Sequence, residues 1–337
     1  MRTQPKRWMV AVAATLLGSL LLGGAVAHAQ NAGAASNADI TAAEAWAFPM
    51  NLPSNSHAPK HDPHKIVHVS GSARSYTQAQ LDTDHFVPDW FPQDHPPAPQ
   101  IVMVDRKPGW PWPCAECHRP NGQGDIISAS PAGLPKAYIV EQITAFRHGE
   151  RGTSLPRPSQ GMALEARAIS DADLQLAADY FSKLPYKSRT RVIEAATVPK
   201  THWGFFVLVP DKNGAREPIG ERIIETPADF HRHELGDEHV ESLAYVPPGS
   251  IARGAVIAAR GVGAAAACES CHGTKLQGVG LIPPLAGRSP TYIVRELILF
   301  RTGKRTNPQA APMRTEASQL SVNDMIAVAA YAASRKP

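Results

Sequence analysis

The strongest constraint on this 337-residue chain is an internal repeat. Cys114-Ala115-Glu116-Cys117-His118 recurs 154 residues later as Cys268-Glu269-Ser270-Cys271-His272. At the same offset Tyr138-Ile139-Val140 falls on Tyr292-Ile293-Val294, Phe146-Arg147 on Phe300-Arg301 and Gly149 on Gly303. Beyond the glycine the offset drops to 151, pairing Met162 with Met313, Ser170 with Ser321, Asp173 with Asp324 and Tyr180 with Tyr331. Two homologous units follow, each with its own core.

All 4 cysteines lie in the two motifs. In Cys-x-x-Cys-His, two thiols on one helical turn can each form a thioether to a haem vinyl group, and the histidine that follows ligates the iron. A redox dithiol, a local disulfide or one four-cysteine zinc site would explain the cysteines, but not a histidine after both pairs. Met162 and Met313 are expected in loops just before a helix. A thioether is the usual sixth ligand opposite histidine in electron-transfer haems; the alternative is that each methionine fills a gap in the core.

Each repeat resembles a class I cytochrome c domain, and the tandem arrangement is similar to bacterial periplasmic two-haem cytochromes. The likeness rests on the Cys-x-x-Cys-His sites, the Tyr-Ile-Val to Phe-Arg-x-Gly helix and the methionine before a last helix. It implies a mainly α fold with two tandem cytochrome c domains, 101–189 and 247–337. A small β-rich insert at 190–246 and an irregular Pro-rich N-terminal arm at 30–100 complete the chain. It also implies two covalent haem c groups, held by Cys114, Cys117, Cys268 and Cys271, with His118, Met162, His272 and Met313 as iron ligands. Tyr138, Tyr292, Arg147 and Arg301 belong to the haem surroundings, the arginines pairing propionates unless they are merely exposed helix residues. In Ile282-Pro283-Pro284-Leu285-Ala286-Gly287, Pro283 matches the family proline whose carbonyl accepts the proximal histidine Nδ1 proton. The first copy departs, placing Ala129 there with Pro131 two residues on, so the resemblance leaves His118 without that acceptor.

Local signals place the helices. Ser170 with Asp173, and Ser321 with Asp324, are N-cap signatures for the last helix of each copy. The Ala-rich stretch from Ser250 to Ala267 predicts a helix running into Cys268. Before Cys114 stands Pro108-Gly109-Trp110-Pro111-Trp112-Pro113, which excludes a helix; Ser75 and Gln78 mark a short substitute over Tyr76 to Leu81. In the insert, Arg191–Thr197, Phe205–Val209 and Glu221–Thr226 have strand composition, and Asp211-Lys212-Asn213-Gly214 predicts a hairpin turn. The insert either docks a partner or covers the first domain. His57, His61, His64 and His68, like His231, His233 and His239, are read as solvated histidines, because Pro59 and Pro63 break any helical face that would align the first set for a metal.

The 31 prolines argue against one helical bundle throughout. A net charge of +4 falls to +1 without Arg2, Lys6 and Arg7, leaving 31 basic against 30 acidic residues, so the chain has no electrostatic footprint for nucleic acid. Those three precede an apolar run from Trp8 to Ala27 that ends in Ala27-His28-Ala29. Residues 1–29 are expected to be a signal peptide cleaved after Ala29, which gives a periplasmic protein with no transmembrane segment; an uncleaved anchor is the alternative.

With both faces of each iron capped, the expected function is electron transfer rather than enzymatic turnover. The chain is read as a free carrier or as the cytochrome subunit of a dehydrogenase. Its partners would be redox proteins: a periplasmic dehydrogenase, a terminal oxidase or another cytochrome. The alternative is a dihaem peroxidase-like enzyme with one displaceable axial ligand.

Overall fold

Caps and glycines set the helix boundaries of this chain. A computed structural model describes residues 34–49, 62–83, 86–104, 112–152, 159–204 and 206–337. The signal-like segment, His57, His61 and the run from Pro108 to Pro111 lie outside the described residues. Among the described residues no helix is long and apolar enough to cross a membrane.

The N-terminal arm is more regular than its prolines suggest. Helix α1 (Asn37–Ala47) opens on Ser36, whose hydroxyl accepts from Asp39 N while the Asp39 carboxylate accepts from Ser36 N. Its Ile40, Ala43 and Ala47, with Phe48, enter the core of the second copy. Strands β1 (Ile66–Val67) and β2 (Tyr76–Thr77) pair antiparallel, and α2 (Gln78–Leu81) follows. The cap there is Thr77 with Gln80 rather than Ser75 with Gln78, because Tyr76 and Thr77 are still in the strand. Trp90 and Phe91 are buried with Val67, Val69 and Leu235, tying the arm to the insert.

In the first copy, α3 (Gln100–Met103) is a single turn and α4 (Cys114–His118) carries the first motif. Helices α5 (Lys136–Arg147), α6 (Ser159–Ala168) and α7 (Asp171–Lys183) complete it, with Ser170 accepting from Asp173 N as the sequence predicts.

The insert begins with β3 (Thr190–Glu194), β4 (Thr197–Pro199), β5 (Thr201–Gly204) and β6 (Val207–Pro210). It continues with β7 (Arg216–Pro218), β8 (Ile224–Pro227), α8 (Phe230–Glu234) and β9 (Ser242–Val246). β3 pairs parallel with β9, and β8 pairs antiparallel with β9. The predicted turn at Asp211 to Gly214 is not the hairpin reversal. The chain reverses between Gly204 and Val207, so β6 pairs with β5 and β7 with β4, while the 211–214 turn interrupts the returning arm. β8 joins the other sheet. The insert's apolar side chains cover the second copy: Ile223 and Val246 lie in its core, and Glu225 accepts from Ser289 Oγ at 2.7 Å, while Gly236 of the insert lies against Arg119 of the first copy.

The second copy comprises α9 (Ser250–Arg260), α10 (Glu269–His272), α11 (Pro290–Arg301), α12 (Ala311–Gln319) and α13 (Val322–Ser334). α9 stops at Arg260, short of the predicted Ala267. Gly261 takes φ 78°, and a Cβ there would meet Ala265 O at 2.3 Å, so the chain turns and only glycine fits. Gly254 lets α9 approach α13: a Cβ at that position would lie 2.0 Å from Ala327 O. α3 occupies the positions that correspond to the middle of α9, with Ile101 and Val102 buried, so the first copy keeps one turn of this helix. Met325, Ile326 and Val328 of α13 are buried, and each such side chain contributes roughly 1.5–3 kcal/mol of hydrophobic stabilisation.

The copies meet through a reciprocal contact in which equivalent residues exchange partners. Gly152 N donates to Lys304 O at 3.1 Å, and Thr306 N donates to Glu150 O at 2.7 Å. Arg151 reaches Glu296 of the other copy at 2.7 Å, while Arg305 reaches Gln142 at 2.6 Å. At the 154-residue offset Arg151 corresponds to Arg305 and Gln142 to Glu296, which is the pattern of an isologous two-fold interface. The guanidinium of Arg151 lies 4.6 Å over the Phe146 ring, and that of Arg305 lies 4.2 Å over Phe300. Among the side chains that meet the two arginines, the symmetry breaks where Glu296 carries a carboxylate and Gln142 an amide.

Candidate functional site

Each motif forms one helical turn whose histidine ring is tied to a main-chain carbonyl. His118 Nδ1 lies 2.8 Å from Ala129 O, and His272 Nδ1 lies 2.9 Å from Pro283 O. A ring nitrogen facing a carbonyl must carry the proton, so Nδ1–H donates in both cases and Nε2 keeps its lone pair. Among the described residues neither Nε2 has a hydrogen-bond partner. The acceptor missing from the sequence of the first copy is therefore present: Ala129 presents the same carbonyl 11 residues after its histidine that Pro283 does. Burial pushes the pKa of both imidazoles below the usual histidine range, which favours the neutral, ligating form.

The loops behind the motifs repeat the same hydrogen bonds. Gly124 N donates to His118 O at 2.9 Å, and Gly278 N donates to His272 O at 2.8 Å. Both glycines have positive φ, and an added Cβ would strike Ala129 O at 2.4 Å or Ile282 O at 2.7 Å. These glycines shape the histidine loop, and their 154-residue offset was the signal that could have revealed them.

The four thiols are unpaired, with Cys114 and Cys268 half-buried and Cys117 and Cys271 exposed. Burial pushes the Cys114 thiol up to about 12 and that of Cys268 up to about 11, so each stays protonated at neutral pH. Two free thiols on one turn and an imidazole with Nε2 unengaged are the donor set of a covalently held haem, so both motifs fit that group.

The methionines are placed differently from expectation. Met162 lies inside α6 and Met313 inside α12, because Ala and Glu favour both helices and Pro312 sits at a first-turn position where proline is tolerated. Met313 and Cys268 pack against one common core. Met162 packs instead with Phe146, Ala163 and Ala166 in a small cluster that shares only Ile143 with the core around Cys114.

Arg147 and Arg301 do not have free guanidinium groups for a propionate. Arg147 donates to Ala166 O, Ile169 O and Asp171, while Arg301 donates to the carbonyls of Ala317, Ser318 and Ala35. Both arginines instead satisfy carbonyls at the ends of neighbouring helices. Tyr292 lies at the contact between the copies, where its hydroxyl accepts from Arg151 Nη2 at 3.2 Å; Tyr138 is half-buried at the matching position of α5.

The family model described as Cytochrome c matches residues 256–336. Cytochrome c-552 of Acidithiobacillus ferridurans is 41% identical over 240 residues, covering 71% of this chain and 76% of that protein. The thiosulfate dehydrogenase electron acceptor of Stutzerimonas stutzeri (strain A1501) is 35% identical over 221 residues, covering 65% of this chain and 76% of that protein. The chain belongs to the cytochrome c family. A protein of the same name from Thiomonas intermedia is 25% identical over 225 residues, 66% of this chain and 78% of that protein. The cytochrome is an electron-transfer protein rather than an enzyme; it holds haem c covalently and exchanges electrons with redox partners.

Proposed function

We propose that the cytochrome carries two haem c groups and accepts electrons from a dehydrogenase outside the cytoplasm, with residues 1–29 as the export signal. The observation that carries this reading is the duplicated motif turn, in which each histidine donates Nδ1–H to a carbonyl 11 residues on. Cys114 with Cys117, and Cys268 with Cys271, hold the haems by thioether bonds. His118 with Met162, and His272 with Met313, would ligate the irons. Bound there, haem c would supply reversible one-electron chemistry. The chain's own part is to fix the two imidazole rings through the Nδ1 bonds, which orient Nε2 and raise its basicity. A methionine thioether as second ligand would raise the potential, as suits electron transfer rather than turnover.

The donor proposed is a thiosulfate dehydrogenase, on the strength of the two relatives named as electron acceptors of that enzyme. Intact mass of the exported protein after acid-acetone extraction is expected to show the chain from Gln30 plus two haems; a bare chain would overturn the assignment. Stopped-flow mixing with a thiosulfate dehydrogenase and thiosulfate should reduce both haems. Co-purification after gentle lysis distinguishes a fixed subunit from a free carrier. Peroxidase turnover within the common enzymatic range, about 1 to 1000 per second, would contradict capped irons.

A further inference from the structure

A second cluster of ligating groups lies apart from the Cys-x-x-Cys-His turns, where the arm meets the insert. One donor atom each from Asp89, His95 and Glu238 lie within 4.8 Å of one another. Glu238 is 3% exposed, and neither of its carboxylate oxygens has a hydrogen-bond partner. Burial, with the Asp89 carboxylate beside it, pushes the Glu238 carboxyl up to about 8. A bare carboxylate so placed is strongly unfavourable without a counter-charge. Arg119, the cation nearest in sequence to the first motif, is paired with Asp125 at 3.3 Å, and no ion pair joins Glu238 to any side chain among the described residues.

The orientation of His95 sharpens the point. Its Nδ1 lies 2.9 Å from Pro96 O and 3.0 Å from the Tyr180 hydroxyl, while that hydroxyl donates to Pro120 O at 2.8 Å. Tyr180 can then only accept from the ring, so Nδ1 is the protonated nitrogen. The Nε2 lone pair is left facing Asp89 Oδ1 at 3.3 Å, an acceptor opposite an acceptor. A proton shared between those two atoms would relieve that pair and leave Glu238 bare. One cation among all three would satisfy every group.

We propose that Asp89, His95 and Glu238 bind a divalent transition-metal ion of the zinc class. Bonds of about 2.0–2.2 Å to imidazole and carboxylate bring donor atoms to about 3–4 Å apart, a small contraction from the observed cluster that side-chain rotation supplies. The imidazole disfavours magnesium and calcium, which take oxygen ligands. Tyr180 is a positioning residue, fixing the ring through Nδ1 as outer-shell partners of metal-bound histidines do. The ion would join the arm, through Asp89 and His95, to the insert, through Glu238.

The test uses the mature, haem-loaded protein, treated with chelator, dialysed and titrated with zinc chloride, with magnesium chloride as control. One zinc per chain is expected, with no comparable response to magnesium. Zinc affinity should fall at least tenfold in His95→Gln and Glu238→Gln, with the haem absorption spectrum unchanged as the check on folding. Anomalous diffraction from zinc-soaked wild-type crystals needs no variant and should place a peak between the three side chains. Absence of bound zinc, or zinc found only at other histidines with Glu238→Gln binding as wild type, overturns the proposal.

Discussion

At His118 and His272 the hydrogen-bond acceptor is main chain, so the identity of the residue that carries it matters only through backbone geometry. Pro283→Ala is therefore expected to keep the ring in place and to shift the second haem by less than the about 59 mV that marks a tenfold one-electron bias, as read by redox titration. The residue after each histidine is more demanding. Gly273 sits at φ 84°, ψ 152°, where side chains are strained; Arg119, its counterpart, holds φ 63°, ψ 154° and pairs with Asp125. Gly273→Ala should lower stability by about 1–3 kcal/mol in chemical denaturation. Met162→Ala, on the proposed ligation, should remove half of the far-red methionine-to-ferric-iron absorption, while Met313→Ala removes the other half. The motif cysteines and histidines, and the caps of the last helix of each copy, were legible in the sequence because their chemistry is local. Ala129 was not, because a carbonyl acceptor has no residue-type signature. The partners of Arg147 and Arg301 were also hidden, since free carbonyls at helix ends appear only once neighbouring helices are packed.

At the scale of elements, the α9–α13 crossing depends on one missing side chain. A Cβ at Gly254 would meet Ala327 O at 2.0 Å and Tyr331 Cβ at 2.7 Å, and neither backbone nor Cβ can move aside alone. Gly254→Val is expected to force the helices apart and cost more than about 3 kcal/mol, visible as a large fall in Tm of the haem-loaded protein. The first copy has Gln100 at the corresponding place and only one turn of helix, with Ile101 and Val102 filling the gap. The proline run from which loss of the long helix was expected corresponds to residues beyond the end of α9 and lies largely outside the described residues, and the surviving turn could not be read, because four residues carry too little periodicity. The insert misled for a related reason. Asp211 to Gly214 has turn chemistry and does turn, yet pairing is decided by strand partners on either side of Gly204 and Val207.

Across the whole molecule, the reciprocal contact between the copies holds two arginines around one carboxylate. Burial alone would raise the pKa of Glu296; Arg151 and Arg305 outweigh it and hold it below the ordinary glutamate range. A depressed folded-state value contributes stability above the unfolded value, about 4.3, and that contribution is lost as pH falls through the folded one. Glu296→Gln should cost about 3–5 kcal/mol at neutral pH, since two buried guanidinium groups lose their counter-charge, and the two proteins should converge in stability on acidification. Urea unfolding at several pH values would reveal the convergence, and parallel curves would contradict it. The sequence displayed the repeat but not the face by which the repeats meet, because matched residues such as Gln142 and Glu296 declare themselves only when each is found beside the other copy's arginine. That reciprocity has a consequence for how the copies can diverge. A patch complementary to itself is what a symmetric homodimer of single-domain subunits possesses, so the contact between the copies has the form that two separate protomers could also make. With both halves in one chain, a substitution can enter one without entering the other. Glu296 opposite Gln142 is such a change, unavailable to a true homodimer, where every new carboxylate would arrive in duplicate.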